Sequence, residues 1–216
     1  MQLRINSTLT FKQYVTTRGW ERATLAVCPL CIPGACHLQR LAPYMRKVPA
    51  VAFVARFYCP EKHTTFGLLP DLYASRIPGT LDDLERVAAA AEGTPGLERL
   101  AEVLRPADTP DAVTLSAAVA WVRRRLAWVR ALLITVAGLF PDDFVDVERS
   151  IQGFRKRLGA ERVLVTLRGI CELHLDALPP PLGLNPRAAS ARWVYASSAE
   201  GSGRSLRSSS AARSSR

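Results

Sequence analysis

Two hydrophobic periods divide this chain. From Val51 to Tyr58 the pattern is that of a strand: Val51, Phe53, Ala55 and Phe57 alternate with Ala52, Val54, Arg56 and Tyr58. The residues from His37 onward supply a hairpin partner. Ahead of it, Thr8 to Gly19 reads as a short amphipathic helix, with Leu9, Tyr14 and Val15 near one face and Gly19 as its stop. Beyond residue 78 the period becomes helical. Thr80 is placed to cap a helix ending near Glu92, with Asp83 three residues on to complete the cap. Gly93-Thr-Pro-Gly breaks it, and Leu97 to Leu104 forms a second, shorter helix. The longest helix spans about Leu115 to Leu139. Its Leu115, Val119, Val122, Leu126, Val129, Leu133, Val136 and Phe140 recur in steps of four and three, a heptad seam that Trp121 and Trp128 widen. A seam this short suits packing against the chain's own helices better than a coiled coil. Val145 to Leu158 and Glu161 to Leu178 complete the helical set, Gly159 and Pro179 being their stops.

Composition sharpens the picture. A chain of 216 residues, 48% hydrophobic, has room for one ordinary domain or for a small module and a helical one, without disulfides. Five cysteines, an odd number, and no secretory signal at Met1-Gln-Leu-Arg-Ile-Asn point to a reducing compartment, a bacterial cytoplasm. The longest apolar run, Ala131 to Phe140, is half of a membrane span, so a soluble protein is expected. The net charge of +10 is unevenly spread. Residues 1–66 hold nine Lys/Arg against two acids, residues 67–120 four against nine, and the last 32 residues six against one. Basic ends around an acidic middle point toward phosphate backbones. The same Arg, Ala, Gly and Pro bias also accompanies high genomic G+C. The segment from about residue 183 onward is rich in Ala, Ser and Arg and is expected to be a disordered tail.

Chemistry concentrates in the cysteines. Cys28-Pro-Leu-Cys31 and Cys59-Pro-Glu-Lys-His63 read as two metal-binding turns joined by the hairpin. The expected site is structural Zn²⁺ held by Cys28, Cys31, Cys59 and His63, with Cys36 or His37 able to replace Cys31 or His63. Phe66 and Leu69 are suited to cover it, and Cys171 belongs to helix packing. The fold class is therefore α+β. An N-terminal helix or arm (1–24) leads into a zinc-ribbon β module (25–78), an all-α region (79–182) and the tail (183–216).

Cys28-Pro-Leu-Cys31, Tyr44-Met-Arg-Lys, Arg56-Phe-Tyr-Cys59-Pro and Thr65-Phe-Gly-Leu-Leu-Pro-Asp71 together resemble the zinc-ribbon start of bacterial transposase-related proteins. The resemblance covers about residues 25–80 and implies a helix-turn-helix beyond it. Leu97–Leu104 would be its first helix, and Ser116–Leu126, with Trp121-Val-Arg-Arg-Arg125, the recognition helix. Arg105 to Thr114 is much longer than the usual turn, and Lys62 stands where the family has its fourth cysteine. No alternating strands and helices with separated acids follow, so a catalytic transposase core is not expected; Asp142, Asp143 and Asp146 read as a helix start.

These readings converge on a non-catalytic zinc-ribbon protein of mobile-element descent that binds nucleic acid, DNA first. Arg40, Arg46, Lys47, Arg56 and Lys62 would meet phosphates from the ribbon, and Arg123, Arg124 and Arg125 from the long helix. The alternative is a zinc-stabilised interaction module that docks a protein partner, or a second copy, on the heptad seam.

Overall fold

The computed structural model describes residues 1–104 and 114–184; the loop from Arg105 and the Ser/Arg-rich tail lie outside the described residues. The chain is α+β. Four strands, β1 (Gln2–Ile5), β2 (Gln39–Arg46), β3 (Ala52–Cys59) and β4 (Thr64–Pro70), form one sheet in the order β1-β4-β3-β2. β2, β3 and β4 make an antiparallel meander, and β1 lies parallel to β4 with Leu3 opposite Leu68. Two of these strands carry little sequence signal. β1 has four residues, too few for a period to stand out. In β4, Phe66 to Pro70 are all buried, so no alternation marks it, and Gly67 and Pro70 suggest a loop instead. The outer edge of β2 is interrupted by a bulge between Leu41 and Tyr44 around Pro43, which removes donors that another chain would pair with.

Helices α1 (Phe11–Thr16) and α2 (Gly19–Arg22) precede the meander; α3 (Leu81–Gly93), α4 (Leu97–Leu104), α5 (Leu115–Leu139), α6 (Pro141–Phe144), α7 (Ile151–Leu158) and α8 (Val163–Ile170) follow it. Thr10 and Gln13 cap α1 reciprocally. Thr80 caps α3 as expected, its hydroxyl accepting from the Asp83 N–H at 3.0 Å. Gly19 opens α2 rather than ending a helix, because Arg18 takes a left-handed conformation (φ 52°) that turns the chain between α1 and α2. The expected helix from Val145 begins only at Ile151. There the Glu92 carboxylate accepts from the Ile151 and Gln152 N–H groups, a cap supplied from α3 far away in sequence. The last expected helix ends at Ile170 and passes through a 3₁₀ turn at Glu172–His174.

Strand alternation sends the two faces of the sheet into different cores. Ala52, Val54 and Leu69 face the helices and join Leu84, Leu133, Val136, Phe154, Leu167 and Cys171 in the main core. Val122, Val129, Leu133 and Val136 of the heptad seam are buried within the chain itself, as the sequence suggests. Leu3, Ile5, Ala55, Phe57, Phe66 and Leu68 face the other way, into a second core that includes Cys28 and Cys59.

The sheet is joined to the C-terminal part of the fold by buried charge. Arg4 forms a two-pronged pair with Asp71 (2.7 and 2.8 Å) and reaches Glu172 at 3.2 Å. Arg168 is 0% exposed; its guanidinium donates to the Tyr73 carbonyl at 2.7 Å and to the Pro181 carbonyl at 2.8 Å. Burial lowers its pKa to about 10, so it remains a cation at neutral pH. Ser75 and Arg76 donate to the Gly183 carbonyl, and Leu182 and Leu184 are buried. Residues 178–184 are thus part of the folded body. Replacing Arg168 with Met leaves the Tyr73 and Asp71 carbonyls without their side-chain donor in an apolar setting, while the Pro181 carbonyl keeps the Ser75 N–H and hydroxyl. The expected cost is about 3 kcal/mol or more, measured as a lowered urea midpoint at unchanged m-value.

Candidate metal centre

Residues 23–38 carry neither helix nor strand and lie across the face of the sheet that points away from the helices. Their path is set by turns. Ile32-Pro33-Gly34-Ala35 closes with the Ala35 N–H donating to the Ile32 carbonyl at 2.9 Å, and Gly34 takes φ 82°. Proline then glycine is what a type II turn requires at its two central positions. The turn reverses the chain and returns Cys36 to the side of Cys28 and Cys31. Cys59 arrives separately, at the end of β3.

The sulfur atoms of Cys28, Cys31, Cys36 and Cys59 all lie within 4.8 Å of one another. Cys31 Sγ is 3.6 Å from Cys59 Sγ, and Cys36 Sγ is 3.8 Å from it. Thiolates at about 2.3 Å from a tetrahedral ion sit about 3.8 Å apart, so the spacing is that of ligands around one metal ion. The cluster can bind a metal ion, and four thiolates select soft or borderline ions such as zinc and iron over magnesium or calcium. Cys28 and Cys59 are buried, while Cys31 and Cys36 are part-exposed toward solvent. Burial, and then the neighbouring thiols, hold the Cys31 and Cys36 pKa values above the ordinary thiol range. At Cys59 burial acts in the same direction, but the Lys62 N–H and the other three thiols outweigh it and lower the pKa. The Pro60–Lys62 turn therefore aims a backbone donor at the Cys59 sulfur, which favours its thiolate.

Three of the four expected ligands meet here, and the fourth position is held by Cys36. His63 lies elsewhere. It adopts φ 45°, and its Nδ1 is 3.0 Å from the Tyr58 hydroxyl. Tyr58 precedes Cys59 by one residue and so points to the opposite face of the sheet, which carries His63 away from the thiols. His37 is exposed and outside the cluster. The signal for Cys36 was the Pro33-Gly34 turn: a reversal after Cys31 must bring the next cysteine back. Three ligands thus come from one loop and one from a strand end, not two from each of two matched turns. Phe66 shares the core behind the thiols, as expected, whereas Leu69 faces the helices.

The expected phosphate-binding cations fare unevenly. Arg40 donates to the Ala23 carbonyl at 2.9 Å and to the Trp20 and Glu21 carbonyls, closing the C-terminal end of α2. Arg46 donates to the Ile77 carbonyl at 2.8 Å and lies over the Tyr73 ring. Arg125 is 8% exposed, its guanidinium 3.6 Å from the centre of the Trp121 ring. These three hold the fold together. Lys47, Lys62, Arg123 and Arg124 are exposed, and Arg56 is part-exposed on the sheet. Among the expected helix-turn-helix segments, α4 packs on α5 through Leu100, Ala101 and Val122, with the connecting loop outside the described residues. His174 packs edge-on against Phe140. No helix among the described residues is long and apolar enough to cross a membrane.

No protein-family model, no curated protein and no solved structure matches this chain.

The ligand set is open to direct test. Co²⁺ added to chelator-stripped protein is expected to give the intense thiolate-to-metal absorption of a tetrahedral four-sulfur site, at one ion per chain. Cys36→Ser and Cys59→Ser should each abolish that spectrum. His63→Ala should keep it and change stability by no more than about 0.5 kcal/mol; loss of the spectrum in His63→Ala would restore histidine as the fourth ligand.

Proposed function

We propose that this chain is a zinc-stabilised nucleic-acid-binding protein whose metal has a structural, not a catalytic, part. The observation that carries the reading is a closed four-thiol cluster built onto a basic strand frame. The four strands contain Arg4, Arg40, Arg46 and Arg56 and no acid at all. Four protein thiolates leave no position for a water molecule or a substrate, which argues for zinc as a clamp. In that role its binding free energy adds to the folding free energy of residues 23–38, which have few hydrogen bonds of their own.

With Arg40, Arg46 and Arg125 committed to internal contacts, phosphate contact falls to Lys47, Arg56, Lys62, Arg123 and Arg124. The likeness of Cys28 to Asp71 to the start of transposase-related proteins favours DNA and a mobile-element origin. The competing idea, docking of a helix or a second copy on the heptad seam, loses its strongest residues, because Val122, Val129, Leu133 and Val136 are already buried against the chain's own helices.

Two measurements test the proposal. Elemental analysis of protein purified without a histidine tag is expected to find one zinc per chain. Affinity for a duplex DNA fragment should fall steeply with salt, with a log–log slope of about −3.6 if four of the five cations reach phosphates. An affinity that stays flat between 50 and 200 mM salt would remove the phosphate contacts on which the reading stands.

A further inference from the structure

Strand alternation leaves one surface that neither core covers. On the helix-side face the main core takes Ala52, Val54 and Leu69 from the sheet, but Arg56, Tyr58 and Thr65 belong to neither core. They form the open end of that face. Tyr58 pairs with Gln39 on one side and Thr65 on the other; Arg56 pairs with Leu41 and Gly67. The absence of a side chain at Gly67 lets the Tyr44 ring cross β3 and rest there, since a Cβ at that position would lie 3.1 Å from Tyr44 Cε1. Tyr44 is therefore beside Arg56, which pairs with Gly67 across β3 and β4. His63 is drawn onto the same face by its contact with the Tyr58 hydroxyl.

The result is a row in which Tyr44, half-buried against the main core, leads outward to Tyr58 and His63, with a guanidinium set among them. Arg56 has no ion-pair partner among the described residues. Lys62 is exposed in the turn beside His63, and between Glu21 and Asp71 the sequence holds a single acid, Glu61. Rings lying on a pleated surface offer stacking platforms, and nearby cations offer phosphate contacts. A duplex keeps its bases stacked on one another, out of reach of such a platform; a single strand can splay them onto it. Charge excludes a basic partner.

We infer that the open end of the sheet, built from Tyr44, Arg56, Tyr58, Lys62 and His63, is a binding surface for single-stranded nucleic acid, with a base stacked on Tyr58 and phosphates on Arg56 and Lys62. This rests on the reading of the chain as a nucleic-acid-binding protein and specifies where and in which form the ligand binds. It also gives the metal centre a direct part: Cys59 lies on the reverse of the same strand, so the ion holds from behind the turn that carries Lys62 and His63.

The test uses the full chain and a fluorescent 12-nucleotide DNA, single-stranded or annealed to its complement, followed by anisotropy. Wild type is expected to prefer the single strand. Tyr58→Leu should weaken single-strand binding about tenfold or more, while Tyr58→Phe, which keeps the ring, should stay within about twofold of wild type. Arg56→Gln should weaken binding and reduce the salt slope by about 0.7. Metal content and circular dichroism, unchanged across the three variants, separate lost contact from lost fold. Binding by wild type that is indifferent to all three substitutions, or that favours the duplex, overturns the surface assignment and leaves the broader proposal intact. Failure of wild type to bind either form overturns both, and binding of polyglutamate in its place identifies an acidic peptide as the partner.

Discussion

A β-strand has two faces, and in this chain β3 gives each of them a separate task. Ala52 and Val54 enter the core beneath the helices; Ala55, Phe57 and Cys59 enter the core behind the loop of residues 23–38. The helical layer covers only the first half of the helix-side face, so Arg56 and Tyr58 emerge from the same alternation as surface residues. A shift of one residue in the register of β3 would exchange all three sets at once. It would send Arg56 into an apolar core and pull Cys59 away from the other thiols. The thiol cluster, the main core and the open sheet surface therefore depend on one register, which the pairing of Phe57 with Arg40 on β2 and Phe66 on β4 fixes from both sides.

Arginine is the second organising element, and it acts mostly inward. Arg4, Arg40, Arg46 and Arg168 each spend their donors on backbone carbonyls or buried carboxylates, at the end of a short helix, at the loop after β4, and at the 178–184 segment. Carbonyls that end a helix or a turn below the surface need donors, and a planar guanidinium serves several at once. A net charge of +10 therefore overstates the cations available to a ligand. What distinguishes a candidate contact residue here is the absence of a carboxylate or carbonyl partner among the described residues, a property that Arg56 has and Arg40 lacks.

The boundary between what the sequence reveals and what it hides follows the range of the interactions. Local signals were legible: the alternation of β3, the Thr80 cap, the α5 seam and the Cys28 to Cys31 spacing all arise within a few residues. The elements that were misread depend on distant partners. α7 starts at Ile151 where Ser150 caps it locally and Glu92 adds a cap from α3, and β1 exists because β4 offers it an edge. Cys36 and His63 show the same division within the candidate site. The residues from Cys59 to His63 look like a ligand pair by spacing alone, yet the strand's alternation sets Tyr58 and Cys59 on opposite faces, and His63 follows Tyr58. Spacing sees how far apart two residues are; it does not see on which side of a sheet they emerge.

The position of the thiol cluster supplies its own argument for a metal. The core around it is small, and the loop over it contributes Ala23, Leu25 and Cys28 as its buried residues without any regular hydrogen-bonded structure. Ordering a loop of that length costs about 1–2 kcal/mol of backbone entropy per residue. Leu25, the one large side chain fully buried there, with Leu30 and Leu38 packed partly against the same core, returns only a fraction of it, at about 1.5–3 kcal/mol for a fully buried leucine. An apolar contact of that size does not hold such a segment against a sheet; four thiolates on one ion would, because an ion there would join three points of the loop to the end of β3 in a fixed geometry. A bound ion would restrain the turn beyond Cys59 as well. Without the ion, loop and turn would loosen together, and the face of the sheet that carries Tyr58 and His63 would lose its shape before the helical core lost any of its packing.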